Sequence, residues 1–336
     1  MCPSWVAWRI SGRPGSNTVM TIDRHSIVLF LKGMAMGAAD SVPGVSGGTV
    51  ALITNIYEEL VDAIKSLGWH VLVVWKHEGF LAAWRYMNGR FLLTLGAGIL
   101  TSLLLFGNLI ISLMDTSLPY LLAFFAGLVL ASIRYVAMGV ARWNVQRWLL
   151  LIAGAVFAMV LAFLPLRESG GGLVYYFFCG AIAICAMILP GISGAFILLL
   201  LGAYAPVLEA LTGFDVPVIV VFAAGCLCGL MLFTRLLSWL LHHHHENTLA
   251  VLTGMLTGSL YLLWPWRVAV EVSLEGFEFT RYRHVLPDTY LEATGQAFSA
   301  PVCLGLAVAG VVLVLLLETV AGNNNTEKPP ASDPSP

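Results

Sequence analysis

The chain has 336 residues, 59% of them hydrophobic and only 11% charged, with a mean hydropathy of +0.86. A soluble domain carries about 25% charged residues, so this balance excludes an ordinary soluble protein, and a net charge of −2 offers no footing for nucleic acid. Apolar runs long enough to cross a bilayer recur along the chain, as expected of an all-α, polytopic membrane protein.

Residues 1–25 lack a compact apolar core followed by a cleavage site, so no signal peptide is expected, and Met20 is a plausible alternative start. This stretch reads as a cytoplasmic segment without fixed structure. Residues 26–42 and 48–65 read as two half-length helices around the break Pro43-Gly44-Val45-Ser46-Gly47-Gly48. Residues 66–90 form an amphipathic connector, with Lys65, Lys76, Arg85 and Arg90 set around Trp69, Trp75 and Trp84, a mixture suited to a membrane surface. Spanning helices are expected at 91–113, 119–139 and 148–165, then a second broken segment at 173–189 and 194–211. Further spans at 218–241 and 249–265 lead through Trp264-Pro265-Trp266, an aromatic belt, into an outer acidic loop at 267–299. A last span at 300–320 precedes the tail 322–336, disordered by composition.

The cysteines that fall in apolar segments, Cys226-x-Cys228 among them, read as small apolar residues. The tract His242–His245 with Glu246 ends a helix, where histidine suits the helix dipole, and neither a metal nor a cofactor is expected.

The two broken segments are copies. Residues 33–64 align with 180–211 at an offset of 147 (Pro190 against Pro43), with nine of 32 positions identical, including both Pro-Gly pairs, Ser46/Ser193, Gly47/Gly194 and Tyr57/Tyr204. Later matches such as Gly98/Gly225 and Gly127/Gly254 fall at an offset of 127, so each repeat comprises a broken hairpin and two spans, 26–139 and 173–265. If each hairpin is re-entrant, three crossings separate the two copies and the repeats are inverted. With both termini in the cytoplasm, 13 of the 17 Lys and Arg then fall on the inner side, which satisfies the positive-inside rule.

Paired Gly/Pro-interrupted segments in the two halves of a membrane protein point to a binding site near the midplane. Broken backbone persists in a membrane only where protein buries it or a polar cavity receives it. Opposed helix N-termini at Gly44, Ser46, Gly47, Gly48 and Thr49 and at Gly191, Ser193 and Gly194 suit an anion such as phosphate. The plainer alternative is a Pro-Gly kink that serves packing alone. Ionisable residues in membrane segments are functional candidates. Arg134 and Arg235 are candidate phosphate contacts, while Asp40, Glu58, Asp62 and Glu209 are candidates for proton coupling or for orienting the tips.

The stretch GMAMGAADSVPGVSGGTVALITNIYEEL, with its echo PGISGAFILLLLGAY and the later GMLTGSLYLLWPW, resembles the bacterial polyprenyl-phosphate transporter family over residues 26–320. The resemblance implies translocation of undecaprenyl phosphate, the lipid carrier of cell-wall precursors, back to the cytoplasmic leaflet of the inner membrane. The physics agrees with such a substrate. Drawing a ~55-carbon chain through water would cost roughly 40 kcal/mol at about 0.8 per methylene, so the tail stays in lipid and only the phosphate passes through protein. Two alternatives stand beside it. A polyprenyl-diphosphate phosphatase would need an arginine after each serine to steady phosphoryl charge, where this chain has Gly47 and Gly194. A transporter or channel for a small soluble anion would use the same tips without lateral access for lipid.

Overall fold

The computed structural model describes residues 24–42, 46–164, 171–274 and 277–325. The first hairpin is built from α1 (Arg24–Asp40), α2 (Gly47–Ile53) and α3 (Tyr57–Ser66). Its returning arm, expected as one helix over 48–65, is two helices. The break falls at Asn55, whose φ of 57° lies in the left-handed region that asparagine tolerates better than most residues. Two short helices, α4 (Trp69–Glu78) and α5 (Phe80–Tyr86), occupy the amphipathic connector. The spans expected at 91–113 and 119–139 join into α6 (Gly89–Met138), kinked where Ser117 leaves helical geometry two residues before Pro119. That proline removes a helix hydrogen bond and bends the path without making a loop.

After α7 (Val145–Phe163) comes the second hairpin, α8 (Leu173–Ile188), α9 (Gly194–Leu200) and α10 (Tyr204–Gly213), with its own break at Gly202, φ 67°. Adding 147 to the bounds of α2 and α3 gives the bounds of α9 and α10, and adding it to Asn55 gives Gly202. In each hairpin the first short helix folds back against the helix before it. Helices α9 and α10 bend by 106° at their break.

The equivalent carbonyls at the two breaks, Thr54 and Leu201, each receive a side chain from the first helix of the same hairpin. Lys32 Nζ donates to the Thr54 carbonyl at 2.7 Å, and the Tyr175 hydroxyl donates to that of Leu201. Interrupting a helix frees backbone acceptors that lipid cannot satisfy, so a long polar side chain must reach them.

The chain continues through α11 (Val216–His243), capped by Asp215, and α12 (His245–Ser259), which tightens into a 3-10 turn at Leu260–Leu263. The acidic segment expected as a loop at 267–299 has structure of its own. It forms an antiparallel hairpin, β1 (Arg267–Leu274) and β2 (Phe277–His284), followed by α13 (Pro287–Thr294). The signal was present in the alternation Val268, Val270, Val272, a period of two outside the hydrocarbon. Helix α14 (Ala300–Asn325) closes the described chain.

Among the described residues, four helices can cross a membrane by length and composition, Gly89–Gly107, Thr116–Met138, Val145–Phe163 and Val216–His243, or five if the bent α9–α10 pair counts as one. The long helices associate in pairs through glycine. Gly33 and Gly98 bring α1 against the first half of α6, and Gly180 and Gly225 bring α8 against α11. Gly127 and Gly310 join the second half of α6 to α14, and Gly154, Gly254 and Gly258 join α7 to α12. Association inside lipid rests on close van der Waals contact, and small residues allow it. Large apolar side chains such as Leu104, Val145 and Val220 stay exposed on the outside, the surface a bilayer covers.

Candidate functional site

The core gathers where the two hairpins meet. Gly47 through Ile53 are all buried, so α2 is enclosed on every side. Ser46 caps α2. It has an extended backbone, and its Oγ accepts from the Gly48 N–H at 3.1 Å. The same hydroxyl lies 3.2 Å from the Met187 carbonyl and 3.1 Å from that of Leu189, and donates toward them. Between them, the Ile188 carbonyl accepts from the Tyr57 hydroxyl at 3.2 Å. These three consecutive carbonyls lie at the end of α8, where Pro190 has no N–H to offer and the helix leaves its last acceptors open. Side chains of the first hairpin satisfy them. Thr49 completes the junction by accepting from the Gly191 N–H at 3.2 Å.

Asp40 stands at the other side of the first tip. Its Oδ1 accepts from the Gly47 N–H at 2.6 Å, and the carboxylate lies so close over Gly47 that any side chain there would displace it. A carboxylate at a helix N-terminus is stabilised by the open N–H groups and the dipole. Gly48 is held small for a second reason: a Cβ would meet the Ile188 carbonyl at 2.5 Å. Gly44 lies outside the described residues.

The second tip is differently furnished. Gly191 turns with φ +83° against Ser259, a conformation that glycine adopts without strain. Ser193 is buried and precedes α9, yet its side chain makes no capping hydrogen bond. Position 187, which corresponds to Asp40, is methionine, and positions 195 and 196 are Ala and Phe where the first tip has Gly48 and Thr49. Among the described residues, the first amides of α9 have no side-chain cap.

The remaining candidates do not gather at the tips. Arg134 is exposed near the end of α6. Arg235 is exposed on α11, donates back to the Met231 carbonyl at 3.1 Å and lies against Gly68. Glu58 and Asp62 join α3 to the α11–α12 corner. His245 Nε2 sits 2.9 Å from Glu58, and Asp62 accepts from Ser238 at 2.7 Å with His242 Nε2 at 3.6 Å. Lys65 donates to the same Ser238 at 2.9 Å. Two histidines of the 242–245 tract are thus in contact with carboxylates of the first hairpin. Glu209 is exposed on α10.

Sequence reasoning passed over Lys32, Tyr57 and Ser238. The signal for Lys32 was plain enough, a single cation in the apolar run IVLFLKGMAMG. For Tyr57 the matching Tyr204 was visible, but Tyr204 is 41% exposed while Tyr57 is 2% exposed, and only tertiary contact separates them.

Known proteins resemble this chain over most of its length. A family model described as undecaprenyl phosphate translocase-like matches residues 36–278. A polyprenyl-phosphate transporter of Vibrio cholerae is 42% identical over 295 residues, covering 87% of this chain and 96% of the relative. A polyprenyl-phosphate transporter of Staphylococcus aureus is 28% identical over 273 residues, covering 74% of this chain and 92% of the relative. No solved structure matches. The chain belongs to the undecaprenyl phosphate translocase-like family.

Proposed function

We propose that this chain carries undecaprenyl phosphate, or a shorter polyprenyl phosphate, across the bacterial inner membrane to the cytoplasmic leaflet and so recycles the lipid carrier. It acts as a transporter and makes or breaks no bond in its cargo. The phosphate engages the paired tips, Gly44, Ser46, Gly47, Gly48 and Thr49 on one side and Gly191, Ser193 and Gly194 on the other, while the prenyl chain stays in lipid. Arg134 and Arg235 meet the phosphate at the cytoplasmic side. The repeats are inverted, the hairpins are re-entrant and both termini face the cytoplasm.

One observation carries this reading: a carboxyl group already occupies the first tip. The Asp40 carboxylate holds the Gly47 amide at 2.6 Å, in the place a phosphate oxygen would take at a helix N-terminus. In our reading Asp40 is a stand-in. Arriving phosphate displaces it from Gly47, and its return helps expel the phosphate on the far side. An internal competitor of this kind keeps a charged tip satisfied when no lipid is bound, since leaving buried donors open costs about 1–3 kcal/mol each. The names of the relatives supply the cargo, and the repeated hairpin bounds support the two-fold arrangement.

The direct test is reconstitution of the full chain in liposomes with a polyprenyl phosphate in one leaflet. Wild-type protein is expected to equilibrate the lipid between leaflets, and protein-free rates would sink the reading. The orientation is tested separately in cells. Single cysteines replacing His77 and His245 are expected to react from the cytoplasm only, and one replacing His284 from outside only. Labelling of position 77 from outside would end the inverted arrangement.

A further inference from the structure

A cavity of about 590 Å³ lies between α7, α11 and α12 and meets the tip site only at Leu189 and Met255. Its size falls within the range of about 300–1,000 Å³ typical of small-molecule sites. Its lining is sorted by polarity. Gln146, His244, Asn247 and Thr248 stand where α7 begins and α11 meets α12, and apolar side chains such as Leu150 and Phe157 line the rest. On α7 the lining runs from Gln146 to Phe157, a rise of about 16 Å at 1.5 Å per residue. That is close to half of the roughly 30 Å hydrocarbon core, the depth of one leaflet.

The inner end of the groove stops at the second tip. Leu189, which lines it, accepts from Ser46, and the carbonyl of Met255, another lining residue, lies against Gly191. Its outer side faces lipid, because α7 and α11 each bury only 11% of their apolar window. At its polar end Arg147 donates to Asn247, a lining residue, and pairs with Glu246 at 2.6 Å.

We infer that this groove seats the headgroup-proximal part of the chain of a long polyprenyl phosphate within one leaflet, with the phosphate at the polar end beside Arg147, as the waiting position before the headgroup moves to the tips. The inference rests on the transport reading above. A single-chain amphiphile with a phosphate head matches all three properties of the groove: one polar end, an apolar track one leaflet deep, and an opening toward lipid. A water-soluble phosphate would leave the apolar wall uncovered.

The test fills the groove without touching the tips. Ala153 lines the cavity and is exposed, so Ala153→Trp occupies the track from the lipid side. Val156→Trp, on a lipid-facing part of the same helix outside the cavity, is the folding and insertion control. Binding of undecaprenyl phosphate and of the short dimethylallyl phosphate to the purified full chain is compared. We expect Ala153→Trp to weaken undecaprenyl phosphate by roughly ten-fold or more, equivalent to losing the burial of about two methylenes. Dimethylallyl phosphate and the Val156→Trp protein are expected to match wild type. Unchanged undecaprenyl phosphate binding by Ala153→Trp overturns the groove and leaves the transport reading standing, as does equal competition by dioleoyl phosphatidic acid. Wild-type protein that binds neither prenyl phosphate overturns both.

Discussion

The two hairpins share the bounds of their short helices residue for residue, yet the first is charged and tied down while the second is nearly neutral and open. The first carries Lys32, Asp40, Glu58 and Asp62, and the equivalent positions of the second hold Cys179, Met187, Ala205 and Glu209. Ser46 makes one capping bond and two links to the opposite backbone, whereas Ser193 makes none among the described residues. Tyr57 is buried against α8 and Tyr204 is exposed. The short helices keep the same bounds in both hairpins, while their side chains have separate tasks. One hairpin supplies donors and charge, and the other supplies the carbonyls and amide that receive them.

The largest expected effect concerns the turn itself. Gly191→Ala places a Cβ at φ +83° and against Ser259, and it should lower stability by about 2–3 kcal/mol, combining left-handed strain with displacement of a buried neighbour. Thermal unfolding in detergent reads this directly. The same change at Gly44 then sharpens the comparison: an equal loss means the two turns share one backbone conformation, and a small loss means they do not.

Next come the serines. Ser46→Ala removes a cap and leaves α8 carbonyls without their hydroxyl, so a loss of about 1–2 kcal/mol is expected. Ser193→Ala should change stability by less than about 0.5 kcal/mol. Equal losses in the same unfolding assay would break the asymmetry.

Asp40 gives a binding test of similar size. Asp40→Asn removes the internal competitor and should tighten binding of a prenyl phosphate by roughly ten-fold, the worth of one charge-assisted hydrogen bond. Transport should slow, because release loses its driver. Met187→Asp installs a carboxylate at the second tip and should weaken binding by a similar factor. Weaker binding in Asp40→Asn would make that carboxylate a support and not a stand-in.

The smallest effect is at the helix breaks. Asn55→Gly relieves left-handed strain and should stabilise by up to about 1 kcal/mol, and Gly202→Asn should cost about the same. Opposite signs at these equivalent positions would confirm that the breaks are one conformation realised with two residues.

Much of this architecture could be read from the chain. The repeat was visible because proline and glycine at the tips have few substitutes, and identity at such positions outlasts drift elsewhere. The helix pairs were foreshadowed by Gly98/Gly225 and Gly127/Gly254, which prove to be contact points between helices. The breaks at Asn55 and Gly202 were hidden, because an apolar run gives no sign of a single left-handed residue within it. The strands at 267–284 were missed because an acidic stretch between spans was read by charge alone. The division of labour between Ser46 and Ser193 depends on which hairpin presents its carbonyls, and identical motifs cannot carry that information.

The glycine contacts have a mechanical consequence. Helices whose backbones touch at Gly33, Gly98, Gly180, Gly225, Gly127 and Gly254 have no room to slide, since any shift drives side chains into neighbouring carbonyls. The molecule therefore behaves as a linkage of four stiff rods: α1 with the first half of α6, the second half of α6 with α14, α8 with α11, and α7 with α12. Its joints are the few residues outside helical geometry, Ser117 between the first two rods and His244 between the last two, with Asn55 and Gly202 beside the tips. A linkage of this kind has few degrees of freedom. A change of shape in such a linkage falls on its joints and leaves the rods intact.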